Sequence, residues 1–268
     1  MRGSQQLLES ENNWVTDMGA YFPGQGRVIF RGCNLFDDLQ DLSWMSLLLF
    51  AITGRIPNPT QSQLFEGIWR LCTSYPDPRI WNNRVAALAG TTRSTAALAI
   101  SAANAVSEAE IYGGRPEIRA MDFLCRVQRK LSAGTDLLDI IHTEFKKHRV
   151  LPGYGRPITW IDERIEPLTK FAEQLGISDG VYQTLAFRIE TLLIEEGYRI
   201  RMNVAALAAA ITADQGLSPQ EFYRVLVLCF SAGAFACHVD AAEKPEGTLF
   251  PLRCSRIDYR GAAPRDWA

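Results

Sequence analysis

Helical spacing dominates the order of apolar and polar positions along this chain. From Asp37 to Thr53, Leu39, Leu42, Met45, Leu49 and Ile52 recur with further apolar residues between them. That pattern predicts a helix buried on several faces, ended by Gly54 and Pro57. An amphipathic segment predicts a second helix from about Thr60 to Tyr75. A third, from about Asn83 to Glu108, is rich in Ala and Gly, which lets neighbouring backbones approach closely. Thr135 is placed to cap a helix that ends on "KKHR", where cations complement the helix dipole, and Asp162 to cap one ending at Gly176. Ser218, Pro219 and Glu221 spell a capping-box start for a helix running through Cys237. Strand signals are confined to "GRVIFRG" near the start and "TLFPLRCSRIDYRG" near the end. The pattern as a whole predicts an all-α chain of roughly nine or ten helices with minor β-hairpins at the termini.

Composition narrows the function. With 268 residues, 47% of them hydrophobic, the chain can bury one large core or two modest ones. Lys and Arg number 28 against 30 Asp and Glu, leaving a net charge of -2, and no run of like charge forms. Nucleic acid and anionic membranes are therefore not expected partners, and small ligands are. The apolar stretches "LSWMSLLLFAI" and "VAALAAAITA" fall short of the roughly 20 residues of a membrane span, and the opening residues lack a signal-peptide apolar region. A cytoplasmic protein is expected, with the tag-like "MRGSQQ" set aside. The six cysteines are scattered and read as buried free thiols. His142, His148 and His238 have no partner at zinc-ligand spacing, so no metal site is expected.

Candidate chemistry concentrates in "HRVLPGYGRPITWIDER", His148 to Arg164, a glycine-proline loop between a basic helix end and an acidic helix start. Taken alone, "PGYG" is a turn. Arg156 in this loop can clamp an anion or form an interdomain salt bridge, but it stays protonated and cannot shuttle a proton at neutral pH. His238, followed by Asp240, reads either as a base oriented by a carboxylate or as a satisfied histidine in a helix. "GQG", Gly24 to Gly26, is a turn without the strand-loop-helix context of a phosphate site.

Six segments, in order, resemble the citrate synthase superfamily, in particular its short members such as the citryl-CoA lyase module. "VIFRGCNLFDDL" resembles the early R-G-Y-D hairpin, and "SLLLFAITGRIPN" the helix ending L-x-G-x-x-P. "NNRVAALAGTTRSTAALAISAANAVSEAEIYGGRPEIRAM" resembles the long central helix and its G-P-L-H-G-G turn. "VLPGYGRPITWIDER" resembles P-G-F-G-H…D-P-R, "RMNVAALAAAITADQGLSP" resembles N-V-D…G-I-P, and "GAFACHVDAAEKPEGTLFPLRCSRIDYRG" the terminal segment. The similarity runs from about Val28 to Gly261.

The resemblance implies a citrate synthase-like two-domain helical fold. Residues 1–112 and 209–268 would form the large domain and 113–208 an inserted small domain. It also implies a homodimer, and a coenzyme A thioester as substrate, with no bound cofactor. Joining an acyl-CoA to a keto acid needs a carboxylate to remove an alpha proton, a donor for the enolate oxygen and another for the keto carbonyl. Two histidines and an aspartate ordinarily supply these, and at their positions this chain carries Tyr112, Arg156 and Ala205. Tyr112 and Arg156 become the candidate catalytic residues, although Tyr112 also reads as a packed tyrosine with a satisfied hydroxyl. Asn83 stands where a substrate-binding histidine is expected, Ser231 near where an arginine is, and Arg164 where the family places a carboxylate-binding arginine. Asn83, Arg164 and His238 are the substrate-binding candidates, and Pro152, Gly153, Tyr154 and Gly155 the CoA-binding ones. Glycines there admit close approach and positive φ, and the loop amides could face a ligand. Arg84, Arg93 and Arg115 add positive charge near the implied cleft.

Two functions follow. One is a diverged acyltransferase or lyase, leaning toward an enzyme, that makes or breaks a carbon–carbon bond in an acyl-CoA or polycarboxylate anion, with ordinary citrate synthase activity not expected. The alternative is a non-catalytic homologue serving as a regulatory or structural subunit, with an active paralogue as its partner.

Overall fold

The computed structural model describes residues 4–11, 15–109, 114–156, 159–248, 254–263 and 265. In chain order its elements are α1 (Ser4–Glu9), β1 (Gly19–Phe22), β2 (Arg27–Phe30), β3 (Cys33–Asn34), α2 (Trp44–Thr53), α3 (Pro59–Cys72), α4 (Trp81–Thr91), α5 (Ala96–Val106), α6 (Gly114–Ser132), α7 (Leu137–His148), α8 (Ile165–Gln174), α9 (Val181–Glu195), α10 (Val204–Asp214), α11 (Pro219–Leu226) and α12 (Ser231–Glu243). The expected all-α character holds. The strands make one small antiparallel sheet in the order β1-β2-β3, with Ala20 opposite Ile29 and Phe30 opposite Cys33.

Several elements depart from their expected bounds for identifiable reasons. The first large helix starts at Trp44, because residues 34–38 fold into a turn in which the Asn34 N–H donates to Asp38 at 2.7 Å, and Ser43 then caps α2 through the Ser46 N–H at 3.1 Å. The expected 83–108 helix is two. Arg93 takes a left-handed conformation at φ 59° and donates to the carbonyls of Ala242 and Lys244, after which Thr95 caps α5. Asp136, not Thr135, caps α7, accepting from Leu138 N at 2.8 Å. The helix expected from Ser218 through Cys237 is interrupted by a turn at 227–230, giving α11 and α12. Its capping box does form, with Ser218 N donating to Glu221 at 2.7 Å. No strand forms within 254–263, where Ile257 and Tyr259 are exposed and so bury no apolar face against a neighbour.

By packing, the chain divides into two compact units. The first is Met1–Leu71 with Glu117–Leu226, the second Cys72–Pro116 with Val227–Ala268. These boundaries follow packing alone.

At the centre of the first unit is α10, buried at every position from Val204 to Ala213. A helix apolar all round needs neighbours on all sides, and α8, α9 and α11 pack against it. Around it Phe65, Phe123, Phe222, Leu124, Ile140 and Ile189 are fully buried, each contributing roughly 1.5–3 kcal/mol. Gly67 lets α3 approach α8, since a Cβ there would lie 1.9 Å from the Phe171 ring.

In the second unit, α4, α5 and α12 meet through alanines: Ala86, Ala103 and Ala234 form one cluster and Ala87, Cys237 and Ala241 another. The close helix packing expected from the small residues is realised at Gly90, where a Cβ would lie 2.3 Å from the His238 carbonyl oxygen.

Candidate functional site

The loop from Leu151 to Arg164 follows α7, which ends as Arg149 turns left-handed at φ 57°. Gly153 and Gly155 hold φ of 84° and 92°, and a Cβ on Gly153 would meet Ala206 Cβ at 2.5 Å and Ala120 Cβ at 3.1 Å. Glycine is thus required at Gly153 both by conformation and by the nearness of α10. The turn is pinned to the segment before α10. Gly155 N donates to Arg201 O at 2.7 Å, Asn203 N to Gly153 O at 3.0 Å, and Asn203 Nδ2 to Gly155 O at 3.0 Å. Asn203 also caps α10, its Oδ1 accepting from Ala205 N at 3.1 Å.

These bonds revise one expectation. The Tyr154 amide donates to Leu151 O at 3.1 Å and the Gly155 amide to Arg201 O, so both are engaged within the protein. The Tyr154 ring is buried and its hydroxyl donates to Ala186 O at 2.8 Å. Burial, with the Glu190 charge, pushes that phenol well above its usual range and keeps it neutral.

Asp162, with its side chain fully buried, organises the far end of the loop. It accepts from Arg164 Nε at 2.8 Å and Nη2 at 2.9 Å, from Arg164 N at 3.1 Å and from Val204 N at 2.9 Å. Burial alone would raise its pKa, but the hydrogen bonds and charge of Arg164 and the two amides outweigh burial and hold the carboxyl below its usual range. Arg156 reaches the same carboxylate at 3.7 Å, pairs with Glu163 and donates to Ile161 O at 3.3 Å. Among the described residues its ion pairs are local to the loop. Ala205, where the resemblance led to an aspartate being expected, is buried beside the Asn203 cap.

The structure thus brings together Pro152 to Gly155, Arg156 and Arg164 in the first unit. Asn83 and His238 fall in the second. Asn83 is buried, its Nδ2 donating to the carbonyls of Tyr75 and Asp77 and its Oδ1 lacking a partner among the described residues. His238 Nε2 lies 3.2 Å from Ser94 O, and Asp240 pairs with Lys244 at 2.6 Å, so the base-and-carboxylate arrangement does not form. Ser231 opens α12. Arg84 and Arg93 serve local carbonyls, Arg84 at Pro78 O and Arg93 at the end of α12. Tyr112 lies outside the described residues. Among the described residues no group of three or more His, Cys, Asp or Glu is placed to hold a metal ion. A groove of about 660 Å³ lies among α7, α8 and α9, lined by Leu138, Thr169, Gln183, Phe187 and Arg188, and contains none of the candidates.

No protein-family model matches the chain, and no curated protein matches it in sequence. Solved structures do match in three dimensions. Citryl-CoA lyase from Hydrogenobacter thermophilus superposes with a TM-score of 0.81 at 19% identity, over 96% of this chain and 98% of that one. Methanosaeta concilii ATP citrate lyase, in complex with (3S)-citryl-CoA, matches at 0.75 and 14% identity over 98% of this chain, which spans 45% of the lyase. Citrate synthase from Thermoplasma acidophilum matches at 0.65 and 17% identity, over 84% of this chain and 59% of that one. The fold is that of the citrate synthase superfamily.

Proposed function

We propose that this protein acts on an acyl-CoA or polycarboxylate anion, making or breaking a carbon–carbon bond by a chemistry that does without the family's histidines and aspartate. The observation that carries this reading is the convergence of Arg156 and Arg164 on buried Asp162, beside a turn pinned to the start of α10. A guanidinium stands where a proton-transfer group is expected and the expected carboxylate-binding arginine is kept, so the loop gathers arginines whose present partners are its own carboxylates and which a planar anion of the ligand would have to share or displace. The complex of the Methanosaeta concilii ATP citrate lyase with (3S)-citryl-CoA supports the ligand class. The first test is thermal stabilisation by CoA, acetyl-CoA, citrate and oxaloacetate, followed by release of acetyl-CoA and oxaloacetate from citryl-CoA. No stabilisation by any of them sinks the proposal.

A non-catalytic role is the second reading, favoured by Ala205, whose methyl group offers no base where the family has a carboxylate. The double variant Arg156→His with Ala205→Asp separates the two. Activity gained on acetyl-CoA and oxaloacetate marks a disabled synthase. Turnover by the unaltered protein that the double variant loses marks a rebuilt one.

We further propose a homodimer formed through the second unit. Its helix α5 carries no charged residue, and Leu98, Val106, Leu228, Phe235 and Val239 are exposed on α5, on α12 and in the turn before α12. Pro219–Glu243 is long and apolar enough by length and composition to span a membrane, and 39% of an 18-residue window within it is buried. A second copy covering this face accounts for the exposed apolar surface.

A further inference from the structure

Among the arginines around the glycine turn, Arg164 is neutralised by Asp162, and Arg156 by Asp162 and Glu163. Arg201 is different. Its carbonyl receives the Gly155 N–H at 2.7 Å, so its backbone stands directly against the turn. The residues after it are fixed: Met202 N donates to Glu190 Oε1 at 3.0 Å, and Asn203 holds Gly153 and Gly155. The Arg201 side chain is partly buried, its Nε is shut off from solvent, and that donor meets no acceptor among the described residues. Nor does its guanidinium form an ion pair there.

Buried donors are almost always matched, and a charged one left unmatched is costly, so such a group calls for a missing acceptor. An anion with paired oxygens would meet Nε and the adjacent Nη of the planar guanidinium fork together, which a lone carbonyl does not. We propose that Arg201 is the residue that receives the anionic group of the ligand, either a carboxylate of a polycarboxylate or a phosphate of CoA. This assignment rests on the proposed anionic ligand and adds the residue that binds it. Nothing in "YRIRMNV" distinguishes Arg201 from exposed Arg199, and only the tertiary placement does.

The test is thermal melting and titration calorimetry with citrate and with CoA, on the unaltered protein, on Arg201→Met and on Arg199→Met as control. The expected result is a ligand-free Tm in Arg201→Met that is unchanged or slightly raised, because an unmatched buried donor has been removed. Its ligand-induced shift should be lost and its affinity should fall at least about tenfold, while Arg199→Met binds as the unaltered protein does. Loss of the citrate response identifies a carboxylate, and loss of the CoA response alone identifies a phosphate. Equal shifts in Arg201→Met and the unaltered protein overturn the assignment and leave the ligand class standing. A fall of several degrees in the ligand-free Tm of Arg201→Met makes the residue structural and also overturns it. If even the unaltered protein binds neither compound, the ligand class fails and this assignment fails with it.

Discussion

Asp162 accepts the backbone N–H of Val204 at 2.9 Å, joining the end of the glycine loop to the first turn of α10 across 42 positions of sequence. The same carboxylate is held by Arg164 and lies fully buried, so one side chain sets both the loop and an arginine of the candidate site. Asp162→Asn should lower stability by about 3 kcal/mol, the scale for breaking a buried pair while its cation remains. Urea denaturation at neutral pH measures it, and a loss below 1 kcal/mol would mean that Arg164 is readily resolvated.

The same group gives a pH dependence with a definite sign. Its folded-state pKa lies below the unfolded value, so its contribution is complete above the usual carboxylate range, about pH 4, and is lost as pH falls through the lower folded value. Stability of the unaltered protein should therefore decline below about pH 4 more steeply than that of Asp162→Asn. Denaturation midpoints at a few acidic pH values compare the two slopes.

Gly153→Ala adds a methyl group at φ 84°, within 2.5 Å of Ala206 Cβ. The left-handed conformation and the overpacking against α10 each cost about 1–3 kcal/mol. A Tm lowered by several degrees is expected, together with a weaker ligand response, since the turn must move away from Arg201 and Asn203.

Arg126 on α6 pairs with Glu144 on α7, whose side chain is 5% exposed. Arg126→Met leaves that carboxylate buried without its cation and should cost about 3 kcal/mol. The double variant Arg126→Met with Glu144→Leu should recover most of the loss, and a double-mutant cycle by chemical denaturation reads the coupling.

Leu98→Glu and Phe235→Glu place charge on the apolar face of the second unit, where both residues are exposed. Each should convert a dimer to a monomer in light scattering coupled to size exclusion. A protein already monomeric at tens of micromolar contradicts the proposed assembly.

Much of the fold was legible because it is local. The spacing of apolar residues marks α3, the basic "KKHR" marks the end of α7, and the Ser218–Glu221 capping box opens α11 where expected. What failed was also instructive. The run from Asn83 to Glu108 reads as one helix because propensity cannot register Arg93, which leaves the helical conformation to bind carbonyls at the end of α12. The N-cap of α9 is Gly180, which has no side chain to cap it, and Asp214 at the end of α10 instead accepts from Tyr182 N and Gln183 N, both at 2.9 Å.

The candidate site divides in the same way. Motif order singled out the glycine turn, Arg156 and Arg164, which the structure brings to one loop, since those are identities at positions. Tertiary structure decided that Asn83 and His238 serve local carbonyls, that the Tyr154 and Gly155 amides are already engaged, and that Arg201 is left without an acceptor. Residue type and spacing specify what a side chain can do within a turn or two of the backbone. Whether its charge is matched depends on groups brought close through space by the burial of α10, and that information is not carried by any short stretch of the chain.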